Sequence, residues 1–134
     1  YDITVTDYLK NSYKLARYRG KVLMVVNVAS SCGFAKDAYR NMSDLLVKYR
    51  RRGLRIMLFP CRQFWNQEFG DIEKVKEFAN RYSGEFLLMD MVDVKGAKAH
   101  PLFEYLCANL KGWVTNSIKW NFTTFLIGRD GELV

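Results

Sequence analysis

Two apolar runs dominate the first half of the chain. Residues 22–28 are almost entirely aliphatic, and residues 54–59 form a second run that ends at Pro60. Short β-branched runs without polar alternation are typical of strands that are buried on both faces of a parallel or mixed sheet. The pattern therefore predicts two central strands rather than the half-exposed strands of an open antiparallel sheet.

In the segment between these two predicted strands, apolar residues recur at helical spacing, and Gly53 ends the predicted helix. The apolar positions that share one face of this predicted helix are Ala38, Met42, Leu45, Leu46 and Tyr49. A strand, a helix and a strand in this order predict a right-handed crossover with parallel strands. We therefore expect the carboxyl ends of the two strands, near Cys32 and Pro60, at the same edge of the sheet.

Residues 1–6 and 13–17 alternate apolar and polar side chains, which predicts an N-terminal β-hairpin. The remaining predicted elements are a helix capped by Asp71 with apolar positions Ile72, Val75, Phe78, Ala79 and Tyr82, a strand over residues 86–94, a helix from His100 through Leu110, a strand over residues 120–127, and a turn at residues 128–131 that leads into another strand. This succession predicts an α/β fold with a central mixed sheet flanked by helices.

The 134 residues and 49% hydrophobic content suit one domain with a substantial core, over residues 1–134. The sequence stops within a predicted strand, so we expect a C-terminal truncation. It contains neither an apolar stretch of about 18 residues nor the layout of a signal peptide. Three cysteines without regular spacing favour a reducing compartment, either the cytoplasm or an organelle interior such as the mitochondrion.

The formal net charge is +7, and its densest cluster comprises Lys48, Arg50, Arg51 and Arg52. Cations at the end of a helix complement its dipole, and this is the simpler interpretation of the cluster. The alternative is a surface that recruits anionic lipid headgroups or acidic ligands. Nucleic-acid binding is disfavoured, because the aromatic residues do not alternate with basic residues as a stacking platform requires.

Cys32 is the best candidate for a reactive group. It lies on the predicted turn before a helix, where free N–H groups and the helix dipole favour a thiolate, and Gly33 allows a substrate to approach. Cys107 falls on the apolar stripe of its helix and is predicted to be inert, whereas Cys61 lies near the same strand edge as Cys32. His100 is predicted to cap or pack, and we expect no metal site.

A thiolate that attacks an oxygen atom needs hydrogen-bond donors that keep it ionised and protonate the leaving alkoxide. Neutral amides and an indole supply such donors without forming a salt bridge. Gln67, Trp120 and Asn121 are groups of this kind on separate segments. Their convergence on Cys32 is a hypothesis that spacing alone does not establish.

Several motifs resemble those of glutathione peroxidases, in the same order and nearly from end to end. They are Gly20-Lys21-Val22-Leu23, Asn27-Val28-Ala29-Ser30 with Cys32-Gly33, Phe59-Pro60-Cys61 with Gln63-Phe64 and Gln67-Glu68, Ala99-His100-Pro101-Leu102, and Lys119-Trp120-Asn121-Phe122 with Phe125-Leu126. The resemblance implies a thioredoxin-like fold and a role in the oxidative stress response. It also implies a peroxidatic Cys32, where many relatives have selenocysteine, with Gln67, Trp120 and Asn121 as partners.

The chain also departs from the family pattern. Arg62, Trp65, Asn66 and Phe69 make the loop after Pro60 bulkier and more cationic than is usual. The helix over residues 76–82 lacks the resolving cysteine of the thioredoxin-dependent branch, and the link from Pro101 to Trp120 is short. Both features resemble the monomeric branch that reduces phospholipid hydroperoxides.

The leading hypothesis is a thiol-dependent peroxidase that reduces hydrogen peroxide and organic or lipid hydroperoxides through a Cys32 sulfenic acid or its selenium equivalent. It needs no cofactor, because an external thiol such as glutathione regenerates it. Lys36, Arg62 and Lys119 are candidates for attracting glutathione carboxylates or an anionic membrane surface, although the simpler interpretation is that they are solvated.

Three alternatives remain open at this point: a thioredoxin-dependent peroxidase, a thioredoxin-like disulfide reductase, and a non-catalytic basic module. A disulfide reductase needs a second thiol beside the first, and Ala35 occupies the position at which a C-x-x-C pair would place it. The basic module rests on charge alone. A disulfide between Cys32 and Cys61 would indicate a thioredoxin-type reductant.

Overall fold

The computed structural model describes residues 3–28, 35–60, 72–90, 101–102, 105 and 124–132. Its strands and α-helices are β1 (Thr4–Thr6), β2 (Ser12–Lys14), β3 (Val22–Val28), α1 (Ala35–Tyr49), β4 (Leu54–Pro60), α2 (Ile72–Asn80), β5 (Leu87–Leu88) and β6 (Thr124–Ile127). Two 3-10 helices cover Leu15–Tyr18 and Arg50–Arg52. The succession of elements confirms the predicted α/β class.

The two apolar runs form the centre of a four-stranded sheet with the order β5-β4-β3-β6. β3 and β4 pair in parallel along their whole length, from Val22 opposite Leu54 to Val28 opposite Pro60. β5 is parallel to β4, whereas β6 is antiparallel to β3. The sheet is therefore mixed, as predicted, and its two central strands are those with the longest apolar runs.

Alternation along the central strands divides the interior into two cores. Leu23 and Val25 of β3 point into the first core, whereas Val26 and Val28 point into the second. The first core contains the hairpin residue Val5, Leu15 and Leu102 in addition to strand residues. The second core contains buried residues of both helices: Tyr39, Met42, Leu46, Val75 and Ala79. Elements therefore cover both faces of the sheet, with α1 and α2 on the same face.

The crossover helix α1 begins at Ala35, three residues before the first periodic position in the sequence. The predicted apolar face is confirmed at Met42 and Leu46, which are buried. It is wrong at Tyr49, whose side chain is 41% exposed, because this residue ends the helix beyond the last turn that packs on the sheet. Tyr39 instead supplies the large buried ring and packs against Phe78, Tyr82 and Phe86.

Gly53 ends the crossover helix as predicted, with a left-handed φ of 103° after the Arg50–Arg52 turn. Arg129, on the turn after β6, closes the same corner of the molecule. Its guanidinium donates hydrogen bonds to the carbonyl oxygens of Gly20 at 2.9 Å and Arg52 at 2.6 Å. One side chain thus joins the approach to β3, the end of the crossover helix and the end of β6.

The predicted N-terminal hairpin is present, with Thr4 opposite Lys14 and Thr6 opposite Ser12. The carboxylate of Asp7 accepts hydrogen bonds from the backbone N–H groups of Leu9 and Asn11, which fixes the loop. The prediction of a second strand to residue 17 is wrong, because the chain turns into a 3-10 helix at Leu15. Leu15 there enters the first core instead of extending the ladder.

The second half of the chain follows its predicted order. α2 is confirmed, although Tyr82 follows its last residue, and the predicted strand over residues 86–94 is described as β5 and Met89, which forms an isolated bridge with Asp7. Pro101, Leu102 and Tyr105 are helical, as expected for the helix after His100. Asp71, residues 91–94 and residues 120–123 lie outside the described residues.

The turn after β6 is confirmed by a hydrogen bond of 3.0 Å from the N–H of Gly131 to the carbonyl oxygen of Gly128. In the described part of the chain, no helix has both the length and the apolar character needed to span a bilayer.

Among the described residues, Tyr13 of the hairpin has a pKa that clearly departs from the ordinary value of a tyrosine. Burial raises the pKa of its phenol, and a hydrogen bond of 3.0 Å with the Tyr18 hydroxyl adds to the effect. A raised folded-state pKa means that the native protein holds this proton more tightly than the unfolded chain does. The Tyr13 phenol therefore makes its full contribution to the free energy of unfolding below about pH 10, the pKa of tyrosine in the unfolded chain. This contribution decreases as the pH rises further.

We expect Tyr13→Phe to be less stable than the wild type at neutral pH, because the hydrogen bond with Tyr18 is lost. The difference should narrow above about pH 10, where only the wild type loses the contribution of this phenol. Urea unfolding of both proteins across neutral and alkaline pH measures it. A difference that stayed constant into the alkaline range would contradict the assignment.

Candidate active site

Three strand ends lie together at one edge of the central sheet. Val28 and Pro60, the last residues of β3 and β4, are register partners. Thr124, the first residue of the antiparallel β6, is paired with Val26, two residues before the end of β3. We call the edge formed by Val28, Pro60 and Thr124 the carboxyl edge. The expectation that the two parallel strands end together is confirmed.

The residues predicted to perform the chemistry are Cys32, Gln67, Trp120 and Asn121, and all four lie outside the described residues. The same holds for Arg62 and Lys119 among the residues predicted to bind substrate, and for Cys61, Cys107 and His100. Lys36 is described, and its exposed side chain stands in the first turn of α1. The structure therefore defines the frame around the predicted site.

The sequence distances between this frame and the predicted residues are short. Cys32 follows Val28 by four positions and precedes Ala35, the first residue of α1, by three. Asn121 precedes Thr124 by three positions. Gln67 lies in the segment between Pro60 and Ile72, which connects β4 to α2. Each segment that carries a predicted residue is thus joined directly to an element at the carboxyl edge.

The amino end of α1 follows β3 at this edge. A helix of 15 residues has a positive dipole end and free N–H groups in its first turn, and both stabilise an anion placed before it. Lys36 adds a full positive charge in that turn, whereas Asp37 adds a negative one. The helix end therefore contributes a field that favours a thiolate over a thiol.

Asn27 is a buried polar residue that sequence reasoning left without a role. Its side chain is fully buried one residue before the end of β3, opposite Phe59. Strand alternation directs it toward the same face as Leu23 and Val25, into the first core. The signal in the sequence was a single amide within an aliphatic run, and a buried amide is normally hydrogen-bonded. Asn27 is thus a buried amide beside the carboxyl edge.

Within the ranges that the structure describes, no group of three or more His, Cys, Asp or Glu side chains is arranged to hold a metal ion. Among the described residues, the amino end of α1 and Lys36 in its first turn can stabilise negative charge at the carboxyl edge.

Comparison with known proteins decides the family. The family model described as glutathione peroxidase matches residues 1–107. The chain belongs to the glutathione peroxidase family. A relative from Mesembryanthemum crystallinum, named "Probable phospholipid hydroperoxide glutathione peroxidase", is 46% identical over 135 aligned residues, which cover 100% of this chain and 79% of the relative. The resemblance inferred from the motifs is therefore confirmed.

A second relative of this glutathione peroxidase, from Arabidopsis thaliana, is named "Probable phospholipid hydroperoxide glutathione peroxidase 6, mitochondrial". It is 44% identical, over 100% of this chain and 58% of its own length. The crystal structure of T. cruzi GPX1 has a TM-score of 0.79 and 36% identity, with 100% of this chain and 82% of that chain covered. Sequence and structure thus agree on the family.

The thioredoxin-like fold has independent support. A putative thiol:disulfide interchange protein DsbE from Chlorobium tepidum superimposes with a TM-score of 0.65 at 20% identity, over 99% of this chain and 77% of that one. At this identity the likeness concerns the fold alone. As a member of its family, the chain is a glutathione peroxidase-like hydroperoxide reductase that takes its electrons from a thiol.

We expect Asn27→Leu to lower the free energy of unfolding by about 1–3 kcal/mol, because the larger leucine side chain must fit into a closely packed core and the polar interactions of the buried amide are lost. Asn80→Leu is the matched control, since Asn80 is exposed at the end of α2. The control should change stability by no more than about 0.5 kcal/mol. Urea unfolding measures both variants, and equal stabilities would refute the role of Asn27.

Proposed function

We propose that Cys32 is the peroxidatic residue of this peroxidase and that Gln67, Trp120 and Asn121 donate hydrogen bonds toward its sulfur. One observation carries the proposal: β3 and β4 end, and β6 begins, at the same edge of the sheet. The three segments that contain these residues are attached to those strand ends. No other edge of the sheet is joined so closely to all four residues in sequence.

Chain length supports this convergence. A residue adds at most about 3.6 Å to an extended chain, so Cys32 lies within about 14 Å of Val28 and Asn121 within about 11 Å of Thr124. Gln67 belongs to a segment whose two ends, at Pro60 and Ile72, are both fixed by regular structure. These limits support a position of Cys32 and Asn121 near the carboxyl edge, and they are compatible with the same position for Gln67 and Trp120.

The reaction follows from the chemistry of a thiolate. The Cys32 sulfur attacks the terminal oxygen of a hydroperoxide, so that an S–O bond forms and the O–O bond breaks. The leaving alkoxide takes a proton and departs as an alcohol, or as water when the substrate is hydrogen peroxide. Sulfur loses two electrons and becomes a sulfenic acid. The proposed donors would hold the thiolate ionised and supply hydrogen bonds to the leaving oxygen.

Two thiols complete the cycle. The first condenses with the sulfenic acid, which releases water and leaves a mixed disulfide on Cys32. The second displaces Cys32 as a thiolate and leaves as the disulfide of the two reducing thiols. In this scheme the protein needs no cofactor, because the external thiol is itself a substrate.

We propose glutathione or a similar small thiol as the reductant, with a thioredoxin-type protein as the alternative. α2 contains no cysteine, so the position of the resolving thiol in the thioredoxin-dependent branch is vacant in this sequence. A disulfide with Cys61 would require Cα atoms within about 7 Å, and it is the competing route. Ala35 opens α1, where a C-x-x-C pair would place its second thiol, and this disfavours a disulfide reductase.

Lipid hydroperoxides are the proposed preferred substrates, in keeping with the names of the relatives from Mesembryanthemum and Arabidopsis. Lys36 is exposed in the first turn of α1, where it supports an electrostatic role toward carboxylates or phosphates. Arg62 and Lys119 are proposed for the same role, including transient contact with an anionic membrane. We further propose a monomer, without a nucleic-acid partner, in the cytoplasm or in an organelle such as the mitochondrion.

We expect Cys32→Ser to abolish turnover of hydroperoxides, because a serine hydroxyl is not ionised at neutral pH and its oxygen cannot give up two electrons to the peroxide. Cys107→Ser is the matched control and should retain activity.

Gln67→Ala and Asn121→Ala should slow the reaction with peroxide and raise the apparent pKa of the Cys32 thiol. Coupled peroxidase assays and pH profiles measure these effects. Substantial activity in Cys32→Ser would rule out the assignment, and insulin reduction by the wild type would favour the disulfide reductase.

We expect a mixed disulfide between Cys32 and glutathione after one equivalent of peroxide and then glutathione are added. The physical reason is that oxidised Cys32 has no resolving cysteine in α2. Mass spectrometry of the intact and digested protein identifies the adduct. Rapid formation of a Cys32–Cys61 or Cys32–Cys107 disulfide instead would refute the one-cysteine cycle and indicate a thioredoxin-type reductant.

A further inference from the structure

Two phenols near the hairpin share a hydrogen bond on the face of the sheet opposite α1 and α2. The hydroxyls of Tyr13, in β2, and Tyr18, in the 3-10 helix that follows, are 3.0 Å apart, and the two rings meet edge to face at 6.0 Å. Both side chains are partly buried against the first core. The Tyr13 hydroxyl also lies 3.8 Å from the sulfur of Met89, to which it can donate. The proposed reaction of Cys32 uses none of these groups.

The surroundings of Tyr13 oppose the formation of charge on its ring. Burial raises the pKa of the phenol, so the phenolate is disfavoured. The Arg17 guanidinium lies over one face of the ring, 3.8 Å from its centroid, and this cation disfavours a positive charge on the ring. Loss of a hydrogen atom, by contrast, removes a proton and an electron together and leaves a neutral phenoxyl radical. Hydrogen-atom transfer is therefore the oxidation of Tyr13 that its site favours.

The hydroxyl pair favours this radical over that of a tyrosine without such a donor. In the neutral pair either hydroxyl can be the donor, because a hydroxyl hydrogen rotates about its C–O bond. A phenoxyl oxygen has no hydrogen and can only accept, so Tyr18 would donate to the radical across the same 3.0 Å. The thioether of Met89 is a weak acceptor, so little is lost there when the Tyr13 hydrogen departs.

The phenol pair lies near the edge at which the peroxide chemistry is proposed. The N–H of Met89 donates to the carbonyl oxygen of Leu58 at 2.9 Å. Leu58 precedes Pro60, at the carboxyl edge, by two residues, or about 7 Å along a strand. A radical formed at that edge, when a hydroperoxide accepts one electron instead of the two that a thiolate supplies, therefore has this phenol close by. Only the argument from proximity rests on the proposed function.

We propose that Tyr13 is a hydrogen-atom donor to alkoxyl radicals and that Tyr18 stabilises the phenoxyl radical that results. Alkoxyl radicals arise when one electron cleaves the O–O bond of an organic hydroperoxide. In the transfer, the O–H bond of Tyr13 breaks and an O–H bond forms on the alkoxyl oxygen. The alkoxyl radical is reduced to an alcohol, and Tyr13 is oxidised by one electron. The product is the same alcohol that the peroxidase makes from the hydroperoxide.

A thiol returns the phenoxyl radical to the phenol. It gives a hydrogen atom to the Tyr13 oxygen and becomes a thiyl radical, and two thiyl radicals combine to a disulfide. Two alkoxyl radicals and two thiols thus yield two alcohols and one disulfide, which balances the atoms and the electrons. The thiol that reduces the peroxidase suffices for this step. Partial burial and the Arg17 guanidinium hinder the alternative, in which the phenoxyl radicals of two protein molecules couple.

The test uses tert-butoxyl radicals released by thermal decomposition of di-tert-butyl hyponitrite, which requires neither a metal nor a hydroperoxide. A nitroso spin trap captures the protein radicals, and mass spectrometry of tryptic peptides locates the adducts. Residues 11–14 form a peptide in which Tyr13 is the one tyrosine, and residues 99–111 form a peptide in which Tyr105 is the one tyrosine. The wild type should carry more adduct at Tyr13 than at Tyr105, although the Tyr105 side chain is 45% exposed.

Tyr18→Phe retains the Tyr13 phenol and removes its donor. Loss of one hydrogen bond of typical net strength changes an equilibrium about fivefold, so the adduct at Tyr13 relative to Tyr105 should fall by about that factor. Tyr105→Phe, the matched control, removes an exposed phenol and should leave the adduct at Tyr13 unchanged. Both variants should turn over hydrogen peroxide at the wild-type rate, which verifies the fold. The radical assay applies equally to Cys32→Ser, so its result is independent of the peroxidatic assignment.

Glutathione added after the radical has formed should remove its electron paramagnetic resonance signal. A signal that persists in glutathione would overturn the return step. Adducts that follow exposure, with Tyr105 ahead of Tyr13 in the wild type, would overturn the proposal as a whole. An unchanged ratio of the two adducts in a folded, active Tyr18→Phe would do the same, because the phenol pair would then be structural only.

Discussion

The parallel pairing of β3 with β4 is the constraint on which both ends of the molecule depend. Its register runs without an offset from Val22 opposite Leu54 to Val28 opposite Pro60. A slip by one residue would reverse the faces of a strand and exchange the contents of the two cores. Because the register is fixed by burial on both faces, the strand ends that frame the predicted chemistry are fixed with it. The α1 crossover then connects the edge proposed to carry the chemistry to a basic one.

The sequence predicted the central strands, the crossover and the hairpin because long apolar runs and their spacing leave few alternatives. It misplaced local details that depend on tertiary contacts. Leu15 leaves the predicted strand and packs in the first core. Tyr49 follows the helical spacing of the apolar residues, but it lies beyond the part of α1 that packs on the sheet. Cys32 was selected from its place before a predicted helix, whereas the grouping of Gln67, Trp120 and Asn121 around it rested on donor chemistry and motif resemblance. Spacing alone does not bring together side chains that are far apart in sequence. Asn27 was overlooked because one amide in an aliphatic run predicts burial without indicating a purpose.

The two ends of the crossover helix favour opposite electrostatic tasks. At its amino end, the dipole and N–H groups act only over a short distance, on any ionisable group placed directly before the helix. At its carboxyl end, Lys48 and the arginines act collectively over a distance set by the ionic strength. Salt should therefore affect long-range attraction at the basic end of α1 far more than the intrinsic reactivity of the thiolate proposed for the carboxyl edge.

The antiparallel pairing of β6 with β3 has a consequence for synthesis on the ribosome. β3, α1 and β4 emerge early, whereas β6 and Arg129 emerge only after the whole intervening chain has been translated. Until then, one side of the most apolar strand presents unpaired N–H and C=O groups, which is the kind of edge that pairs with other chains. The nascent protein thus passes through a stage in which its central strand is a sheet edge, and a chaperone that shields β3 would be most useful then.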